Sequence, residues 1–394
     1  MTNRQLFLQH LAQTSDFPMM LEIERAEGVY LYDTAGKAYI DLISGIGVSN
    51  VGHRHPNVLT AITAQLHKYL HTMVYGEYVQ SPQVLLAKAL SETLPKPLES
   101  VYLVNSGSEA VEGALKLAKR YTGRAEIISF QNAYHGSSQG ALSATGHEPF
   151  KQNFRPLIPG FRHLRFNEPT DLDFINEQTA AVLVEVIQGE AGVEPGDVAF
   201  VQALRKKCTD TGALLMLDEI QTGFGRTGTF WAFEQYNIVP DVLISAKGMG
   251  GGMPIGCFIS SPEIMGVLRN NPILGHITTF GGHPVSAAAS LATLRTIIDQ
   301  KLMDGVAEKE ALFRSLLIHP KIKNVRSMGL MMAVEFESFA EVKAIIDRTM
   351  ELGVITDWFL FNNRSMRIAP PLIITHEEIK KACKVILLAC HKEG

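Results

Sequence analysis

The chain has 394 residues, of which 46% are hydrophobic and 19% are charged, a composition typical of folded proteins with a large core and unlike that of disordered ones. Its formal net charge of −4 predicts no basic surface for nucleic acid, and no apolar run reaches the roughly 20 residues that would predict a membrane span. Four cysteines outside any C-x-x-C spacing predict neither a disulfide framework nor a metal site, and with no signal-like start they favour a cytoplasmic protein.

The predicted elements begin with a hairpin, VYLYDTAGKAYIDL, whose turn contains Gly36. From about residue 100, short apolar runs alternate with helical patterns, which predicts an α/β fold with a mostly parallel central sheet buried between helices. The predicted strands are 101–105, 126–130, 181–187, 214–218 and 242–246.

The clearest helical pattern covers 109–121, where Val111, Ala114, Leu115 and Ala118 have the spacing of one buried stripe. After residue 285 the pattern changes to predicted helices at 287–298, 307–317, 339–352 and 377–391, with a strand at 330–336. We therefore predict an N-terminal segment (1–48) that packs with a small α+β domain (286–394), and a large α/β domain between them (49–285).

Ligands of open α/β sheets bind at the carboxyl ends of the strands, where five segments of this chain carry suggestive residues. The first contains Ser106, Gly107 and Ser108, where a strand turns into the 109–121 helix. Backbone N–H groups at a helix N-terminus, with the two hydroxyls, suit a phosphate. Serine also caps helices, so a plain cap is the alternative.

The second segment is Tyr134-His135-Gly136. A tyrosine ring at a strand end can lie flat on a planar heteroaromatic ligand, although such a tyrosine also serves plain packing. His135 is open to the same two interpretations.

The third and fourth segments place carboxylates at the ends of apolar strands. Asp218 ends a run that must be buried, so it needs a cationic partner, either a protonated pyridine nitrogen or a structural arginine or lysine. Gln221 follows in the next turn and suits a phenolic oxygen as donor. Glu185, inside its predicted strand, and Glu190, just beyond it, repeat the pattern, although either could be a packing or loop carboxylate.

The fifth segment is Ser245-Ala246-Lys247-Gly248, followed by a glycine-rich stretch. A lysine at a buried strand end is desolvated, which favours the neutral amine that forms Schiff bases. A lone lysine of this kind is usually an ordinary surface residue, but five such strand ends together favour a site.

These residues resemble the class III aminotransferases of pyridoxal phosphate (PLP) fold type I, the group of ornithine, acetylornithine and 4-aminobutyrate aminotransferases. The likeness runs from GVYLYDTAGKAYIDLISGIGVSNVGHRHP to MRIAPPL, and its most specific pieces are VEVIQGEAGV, LMLDEIQTGFGRTG, PDVLISAKGMGGGMPIG and TTFGGHP. The resemblance implies a large domain with a mostly parallel sheet flanked by helices, and a smaller α+β domain built from both termini.

The resemblance also implies roles for the residues above. Lys247 would hold PLP as a Schiff base and Asp218 would pair with its ring nitrogen. The remaining cofactor-binding residues would be Ser106, Gly107 and Ser108 at the phosphate, Tyr134, His135 and Glu185 at the ring, Gln221 near the ring oxygen, and Thr278 and Thr279, which match a phosphate contact from the neighbouring subunit of a homodimer.

Arg367 matches the arginine that grips a substrate α-carboxylate, and Glu190 matches a carboxylate that pairs with it when the substrate lacks that group. One position departs from the family. Ser137 stands where its members typically have an arginine for the distal substrate carboxylate, which puts the usual substrates in doubt. Arg155 or Arg162 could substitute for it.

The sequence therefore predicts a PLP-dependent aminotransferase that moves an amino group from an amino acid or ω-amine to a 2-oxo acid, with 2-oxoglutarate expected. The alternative is a PLP-dependent aminomutase or an amino-acid racemase or epimerase on the same fold. A third interpretation, a binding protein without a cofactor, does not explain why both Lys247 and Asp218 are present.

Overall fold

A computed structural model gives the fold and describes residues 1–391. The strands are β1 (Ile23–Glu27), β2 (Tyr30–Asp33), β3 (Ala38–Asp41), β4 (Ser100–Val104), β5 (Glu126–Phe130), β6 (Phe161–Leu164), β7 (Thr179–Val184), β8 (Ile187–Gln188), β9 (Glu194–Pro195), β10 (Leu214–Asp218), β11 (Val242–Ser245), β12 (Gly256–Ser260), β13 (Asn324–Ser327), β14 (Met332–Glu335), β15 (Val354–Ile355) and β16 (Ser365–Ile368). The α-helices are α1 (Asn3–His10), α2 (Ser44–Gly47), α3 (Pro56–Leu66), α4 (Ser81–Glu92), α5 (Gly107–Thr122), α6 (Gln139–Ala144), α7 (Val198–Thr211), α8 (Pro262–Gly266), α9 (Pro284–Asp299), α10 (Val306–Leu316), α11 (Phe339–Glu351) and α12 (His376–His391). Short 3₁₀ turns lie at Glu148–Phe150, Gln152–Phe154, Pro169–Phe174, Ala232–Tyr236, Lys247–Gly250 and Val267–Arg269.

The central sheet has seven strands in the order β4-β12-β11-β10-β7-β5-β6. All neighbours pair in parallel except β12, which is antiparallel to both β11 and β4. Strands β7, β10, β11 and β12 are buried along their whole length, as expected for a sheet covered on both faces. The predicted α/β fold with a mostly parallel sheet is confirmed.

The predicted strand 181–187 is longer than the observed one. Strand β7 ends at Val184, and the chain leaves the sheet before the separate two-residue β8, which pairs with β9. Glu185 is therefore not inside the strand, as predicted, but directly after it. The predicted strand 330–336 is likewise shorter, since β14 covers Met332–Glu335.

The local sequence determines where helix α5 begins and ends and which of its faces is buried. Ser106 caps its N-terminus by accepting a hydrogen bond from Glu109 N–H, and Gly123 ends it in a left-handed conformation with φ 69°. Val111, Ala114, Leu115 and Ala118 are all buried. The helix therefore points its positive N-terminal end to the carboxyl edge of the sheet.

Two smaller sheets complete the fold. Strands β1, β2, β3 and β15 form a four-stranded sheet, in which β15 pairs in parallel with β3. Strands β13, β14 and β16 form a three-stranded antiparallel sheet. One hydrophobic cluster joins Val29, Ile40 and Leu42 to residues of the C-terminal third, while α9 packs against α3 and α4 beside the central sheet. The domain limits at residues 48 and 285 stay a prediction. Within residues 1–391, the helices lack the length and apolar character that crossing a membrane requires.

Candidate active site

A cavity of about 440 Å³ opens at the carboxyl edge of the central sheet. The ends of β4, β5, β7, β10 and β11 all meet there. Ten of the residues predicted from sequence line it: Ser106, Gly107, Ser108, Tyr134, His135, Glu185, Glu190, Asp218, Gln221 and Lys247. Four others, Ser137, Thr278, Thr279 and Arg367, are outside its lining.

The N-terminus of α5 forms one end of the cavity. The N–H of Glu109 bonds to the Ser106 hydroxyl and that of Ala110 to its carbonyl, whereas no acceptor within residues 1–391 pairs with the N–H of Gly107 or Ser108. A Cβ at Gly107 would come within 2.8 Å of the end of the Ile220 side chain, so a larger residue there would require Ile220 to shift. Two unpaired donors at the positive end of a helix are suited to an anion.

His135 and Asp218 form a buried pair on the cavity floor. His135 Nδ1 lies 2.8 Å from Asp218 Oδ2, and its Nε2 lies 3.3 Å from Ser129 Oγ. The other Asp218 oxygen accepts a hydrogen bond from Ile220 N–H at 3.0 Å. The carboxylate at the end of β10 is therefore held in one orientation.

Glu185 holds the backbone on both sides of the cavity. Its carboxylate accepts hydrogen bonds from Tyr134 N–H at 2.8 Å and from Gly189 N–H at 3.0 Å. Burial raises the pKa of Glu185 to about 7, an effect that the nearby His135 opposes and Asp218 adds to. Its observed contact with Tyr134 is through the backbone, so Glu185 positions the aromatic residue and leaves the ring free.

Lys247 lies two residues after the end of β11 and is the first residue of the turn Lys247–Gly250. Its φ of 46° is in the left-handed region, which costs a non-glycine residue about 1–3 kcal/mol and is often found at functional sites. Burial lowers the pKa of its ammonium group, although Glu190 and Asp218 act in the opposite direction. The lysine is therefore biased towards the neutral, nucleophilic form.

Arg367, on β16, forms ion pairs with two carboxylates. Its two terminal nitrogens each lie 3.0 Å from an oxygen of Glu190, and its Nε lies 2.9 Å from Asp357 Oδ1. Burial opposes the charged form of Arg367, but Glu190 and Asp357 together raise its pKa. Burial also raises the pKa of Glu190, but Arg367, the N–H of Leu360 and Lys247 together lower it below its ordinary value. The Phe359 ring lies 4.4 Å from the guanidinium carbon. Two edges of the guanidinium are therefore paired with carboxylates. Of the two partners, only Glu190 lines the cavity.

Among the described residues, no arginine lines the cavity beside Ser137. The Ser137 hydroxyl lies 3.3 Å from the Tyr134 hydroxyl, at the exposed margin of the cavity. Arg155 pairs with Glu148 at 2.6 Å and Arg162 with Glu126 at 3.1 Å, both on the protein surface. Neither arginine lines the cavity, so the structure gives no support for either as a substitute for the missing arginine.

Thr278 and Thr279 do not reach this cavity within one chain. Thr278 lines a second cavity of about 290 Å³, and Thr279 is exposed. Neighbouring Ile273, Ile277 and Phe280 are large apolar side chains exposed by 44 to 78%. The two threonines therefore lie in a segment that exposes several large apolar side chains.

Sequence reasoning missed several residues of the site. Val48 lines the cavity, although 1–48 was predicted only to pack with the small domain; Met253, Pro254 and Ile255 line it as well. Asp357 was also missed, although a carboxylate between Ile355 and Phe359 is the same kind of signal that pointed to Asp218.

Comparison with known proteins gives a consistent result. The family described as aminotransferase class-III matches residues 11–389. The chain is 39% identical to the acetylornithine aminotransferase of Archaeoglobus fulgidus, over 96% of this chain and 98% of that protein. It is 40% identical to the putrescine aminotransferase of Pectobacterium atrosepticum, over 90% and 79%. The ornithine aminotransferase of Toxoplasma gondii, crystallised with partial occupancy of PLP at its active site, superposes with a TM-score of 0.91 at 30% identity, over 98% and 92%.

Proposed function

Because the chain belongs to the class III aminotransferases, we propose that the cavity at the carboxyl edge of the central sheet is its active site. The protein is a PLP-dependent aminotransferase that acts on small amino and oxo compounds. One observation carries the assignment of the site: Lys247 and Asp218 follow or end the adjacent strands β11 and β10, and both line one cavity.

The residues of the cavity fit PLP. The unpaired N–H groups of Gly107 and Ser108, with the neighbouring hydroxyls, suit its phosphate. Asp218, held by His135, suits a protonated ring nitrogen, and the ring of Tyr134, which lines the cavity, suits stacking on a planar ligand. Gln221 lines the same space and can donate to the ring oxygen.

When bound, PLP supplies an aldehyde that accepts amines and a cationic ring that withdraws electrons. Lys247 would hold the cofactor through Nζ. Its neutral amine would be the group that takes the proton from the donor carbon that bears the amino group and gives it back. Asp218 would keep the ring nitrogen protonated, because a carboxylate favours the cationic ring.

Arg367 and Glu190 would let one site take two kinds of substrate. An oxo acid would place its α-carboxylate on the edge of Arg367 that Glu190 now occupies. With an amine that lacks this group, Glu190 keeps the guanidinium neutralised, so no buried charge is left unpaired.

The donor class is inferred from the arginines near the cavity, because Arg367 is the one proposed to bind an α-carboxylate and a distal carboxylate would need another. No arginine lines the cavity in residues 1–391, so a distal carboxylate on the donor would lack a charged partner. We propose ω-amines and amino acids without a distal carboxylate as donors. The putrescine aminotransferase relative supports this class. We propose 2-oxoglutarate as acceptor, with pyruvate as the matched comparison, since Arg367 suits any 2-oxo acid.

We also propose a homodimer in which Thr278 and Thr279 complete the partner's phosphate site. The exposed apolar side chains around them support this arrangement. The four cysteines, all free and buried, support a reducing compartment, and we propose the cytoplasm.

The test is a panel of amine donors with each acceptor, in which the amino group is followed by mass spectrometry. We expect the amine to leave the donor only when an oxo acid is supplied and to appear on that acid. Isomerised donor without an acceptor would instead support an aminomutase or racemase and contradict the proposal.

A further inference from the structure

Arg226 is a fully buried arginine whose hydrogen bonds go to neutral acceptors. Its Nη1 group donates to the carbonyl oxygens of Leu330, at 3.0 Å, and Pro370, and its Nη2 group donates to Asn50 Oδ1. A guanidinium group is planar and rigid, so these three acceptors also fix the direction of the Nε–H bond. Among the described residues, nothing accepts this last donor, although Nε is buried.

A small cavity of about 10 Å³ lies beside Arg226, and Gly47 and Gln221 are among the residues that line it with the arginine. A Cβ at Gly47 would lie 3.9 Å from Arg226 Nε and 3.6 Å from Gln221 Cγ. The two side chains are therefore neighbours across a space that glycine leaves free. The volume suits one water molecule, and buried polar atoms without a partner are the groups that bind such waters.

Gln221 connects the small cavity with the active-site cavity, because it lines both. Within residues 1–391, packing and not a hydrogen bond holds its carboxamide. A Cβ at Gly189 would collide with the carboxamide oxygen, and Gly47 faces the Cγ atom, so the side chain lies in a slot between two glycines. Packing confines the carboxamide but does not distinguish its oxygen from its nitrogen, because the two ends have nearly the same shape.

The two orientations of the Gln221 carboxamide differ in what they offer the proposed cofactor. With its NH₂ group towards the active-site cavity, Gln221 can donate to the ring oxygen of PLP, whereas the reversed orientation would place two acceptors together. A water that accepts from Arg226 Nε has hydrogens left to donate. The other side chains that line the small cavity end in methyl, thioether, phenyl or guanidinium groups, so the carboxamide oxygen is the strongest acceptor that the described side chains offer this water.

We propose that Arg226 is a positioning residue that acts through one buried water molecule. The water bridges Arg226 Nε–H and the Gln221 carboxamide oxygen, and thereby turns the Gln221 NH₂ group towards the ring oxygen of PLP. The inference rests on the proposed function, since it concerns the cofactor of that same reaction. The acceptors that hold Arg226 are Asn50 and two carbonyl groups of the C-terminal third, so one cofactor contact depends on the packing between these regions.

A high-resolution crystal structure of the wild-type holoenzyme tests the water directly and needs no variant. We expect one ordered water within hydrogen-bond distance of both Arg226 Nε and the Gln221 carboxamide. An empty cavity, or a water bonded to only one of the two side chains, would overturn the inference.

The absorbance of the holoenzyme, titrated with pH, tests the consequence. It depends on a proton beside the ring oxygen of the cofactor, and a donor to that oxygen stabilises the negative charge that remains when this proton leaves. Gln221→Leu should therefore raise the midpoint of the titration. Arg226→Lys keeps the positive charge but has no Nε–H, and it should raise the midpoint by about 0.3 to 1 pH unit, as expected for the loss of one hydrogen bond. An unchanged midpoint in Arg226→Lys would contradict the proposed role.

A double-mutant cycle separates positioning from a structural role. If Arg226 acts through Gln221, Arg226→Lys should give no further shift in the Gln221→Leu background, and an equal further shift would count against the inference. Arg205→Lys is the matched control, because Arg205 also has a buried Nε without a partner in the described part of the chain but lines neither cavity. It should titrate as wild type, and equal shifts in both lysine variants would refute a specific contact.

The same titrations distinguish this inference from the proposed function. A wild-type protein that gains no absorbance from added PLP would refute the proposed function. A protein that binds PLP, but whose midpoint does not depend on Arg226, would refute this inference alone.

Discussion

His135 Nδ1 and Asp218 Oδ2 lie 2.8 Å apart, and neither side chain is open to solvent beyond 3% of its surface. Ser129 and Ile220 bind the outer atoms of this pair. The acid that faces the proposed cofactor ring is thus oriented by a histidine from the neighbouring loop after β5.

Replacing His135 with leucine leaves one buried Asp218 oxygen without its partner. Hydrogen bonds to charged groups contribute about 1.5–3 kcal/mol, so we expect PLP affinity to fall about 10- to 100-fold. His135→Asn retains a donor and should lose less. Spectrophotometric titration of the apoprotein with PLP measures both. Wild-type affinity in the leucine variant would show that Asp218 needs no positioning residue.

Lys247→Ala should abolish covalent attachment of PLP, because no other amine lines the cavity in the described residues. Turnover should fall by about 10³-fold or more, as expected when both a nucleophile and a proton-transfer group are lost. Borohydride reduction followed by mass spectrometry reports the attachment. Lys151→Ala, on another buried lysine, is the control and should still be labelled. Normal turnover of Lys247→Ala would refute the assignment.

Ser137→Arg should change the donor preference. A guanidinium at the cavity margin gives a distal carboxylate a charge-assisted, bidentate partner, so we expect kcat/KM for 4-aminobutanoate to rise about 10- to 100-fold. The same change should lower kcat/KM for cationic diamines. Gln139→Arg adds the same charge at an exposed position two residues on and controls for a general electrostatic effect; equal gains in both variants would contradict a specific contact.

Arg367→Lys keeps a positive charge but loses the planar, bidentate geometry. We expect KM for the oxo acid to rise about 10-fold or more, while kcat/KM for an ω-amine donor changes little, because that donor has no carboxylate to bind. Steady-state kinetics with each substrate varied in turn separate the two effects. Equal losses for both substrates would indicate that Arg367 acts only by supporting the fold.

Glu219 is fully buried, and its burial raises the pKa of its carboxyl from 4.5 to about 7, although Thr222 and two backbone N–H groups oppose the shift. The folded state therefore holds a proton that the unfolded state has released between these values, so the stabilisation is complete below pH 4.5 and is lost as pH rises through about 7. Relative to Glu219→Gln, the wild-type free energy of unfolding should increase by up to about 3 kcal/mol from pH 7.5 to 4.5. Urea unfolding of both proteins tests this, and a difference that does not vary with pH would contradict it.

The strand ends were predictable because burial on both faces makes parallel strands nearly all apolar, so that Asp218 and Lys247 stand out as interruptions. Strand β12 was not predicted. It is the antiparallel strand inserted between β4 and β11, and such adjacency depends on long-range pairing that no local pattern contains. The end of β7 at Val184 was also missed, since Val186 and Ile187 continue the apolar run while the backbone has already left the sheet.

The sequence predicted the site residues that carry a charged or polar side chain at the end of a strand. It was less successful for residues that reach the site from other elements. Asp357 and Phe361 come from a loop of the C-terminal third, and only the folded chain shows that Asp357 pairs with Arg367 and that Phe361 bonds to Glu190. The roles of Thr278 and Thr279 stay a prediction, because they concern a second subunit.

Glu190 follows a strand beside the central sheet, whereas Arg367 is on β16 of the small antiparallel sheet. Their ion pair is therefore a mechanical link between two separately packed cores. An oxo acid that takes over the guanidinium would remove this link, and an amine donor would leave it in place. Each catalytic cycle would then break and remake one contact between the two cores, in step with the kind of substrate bound.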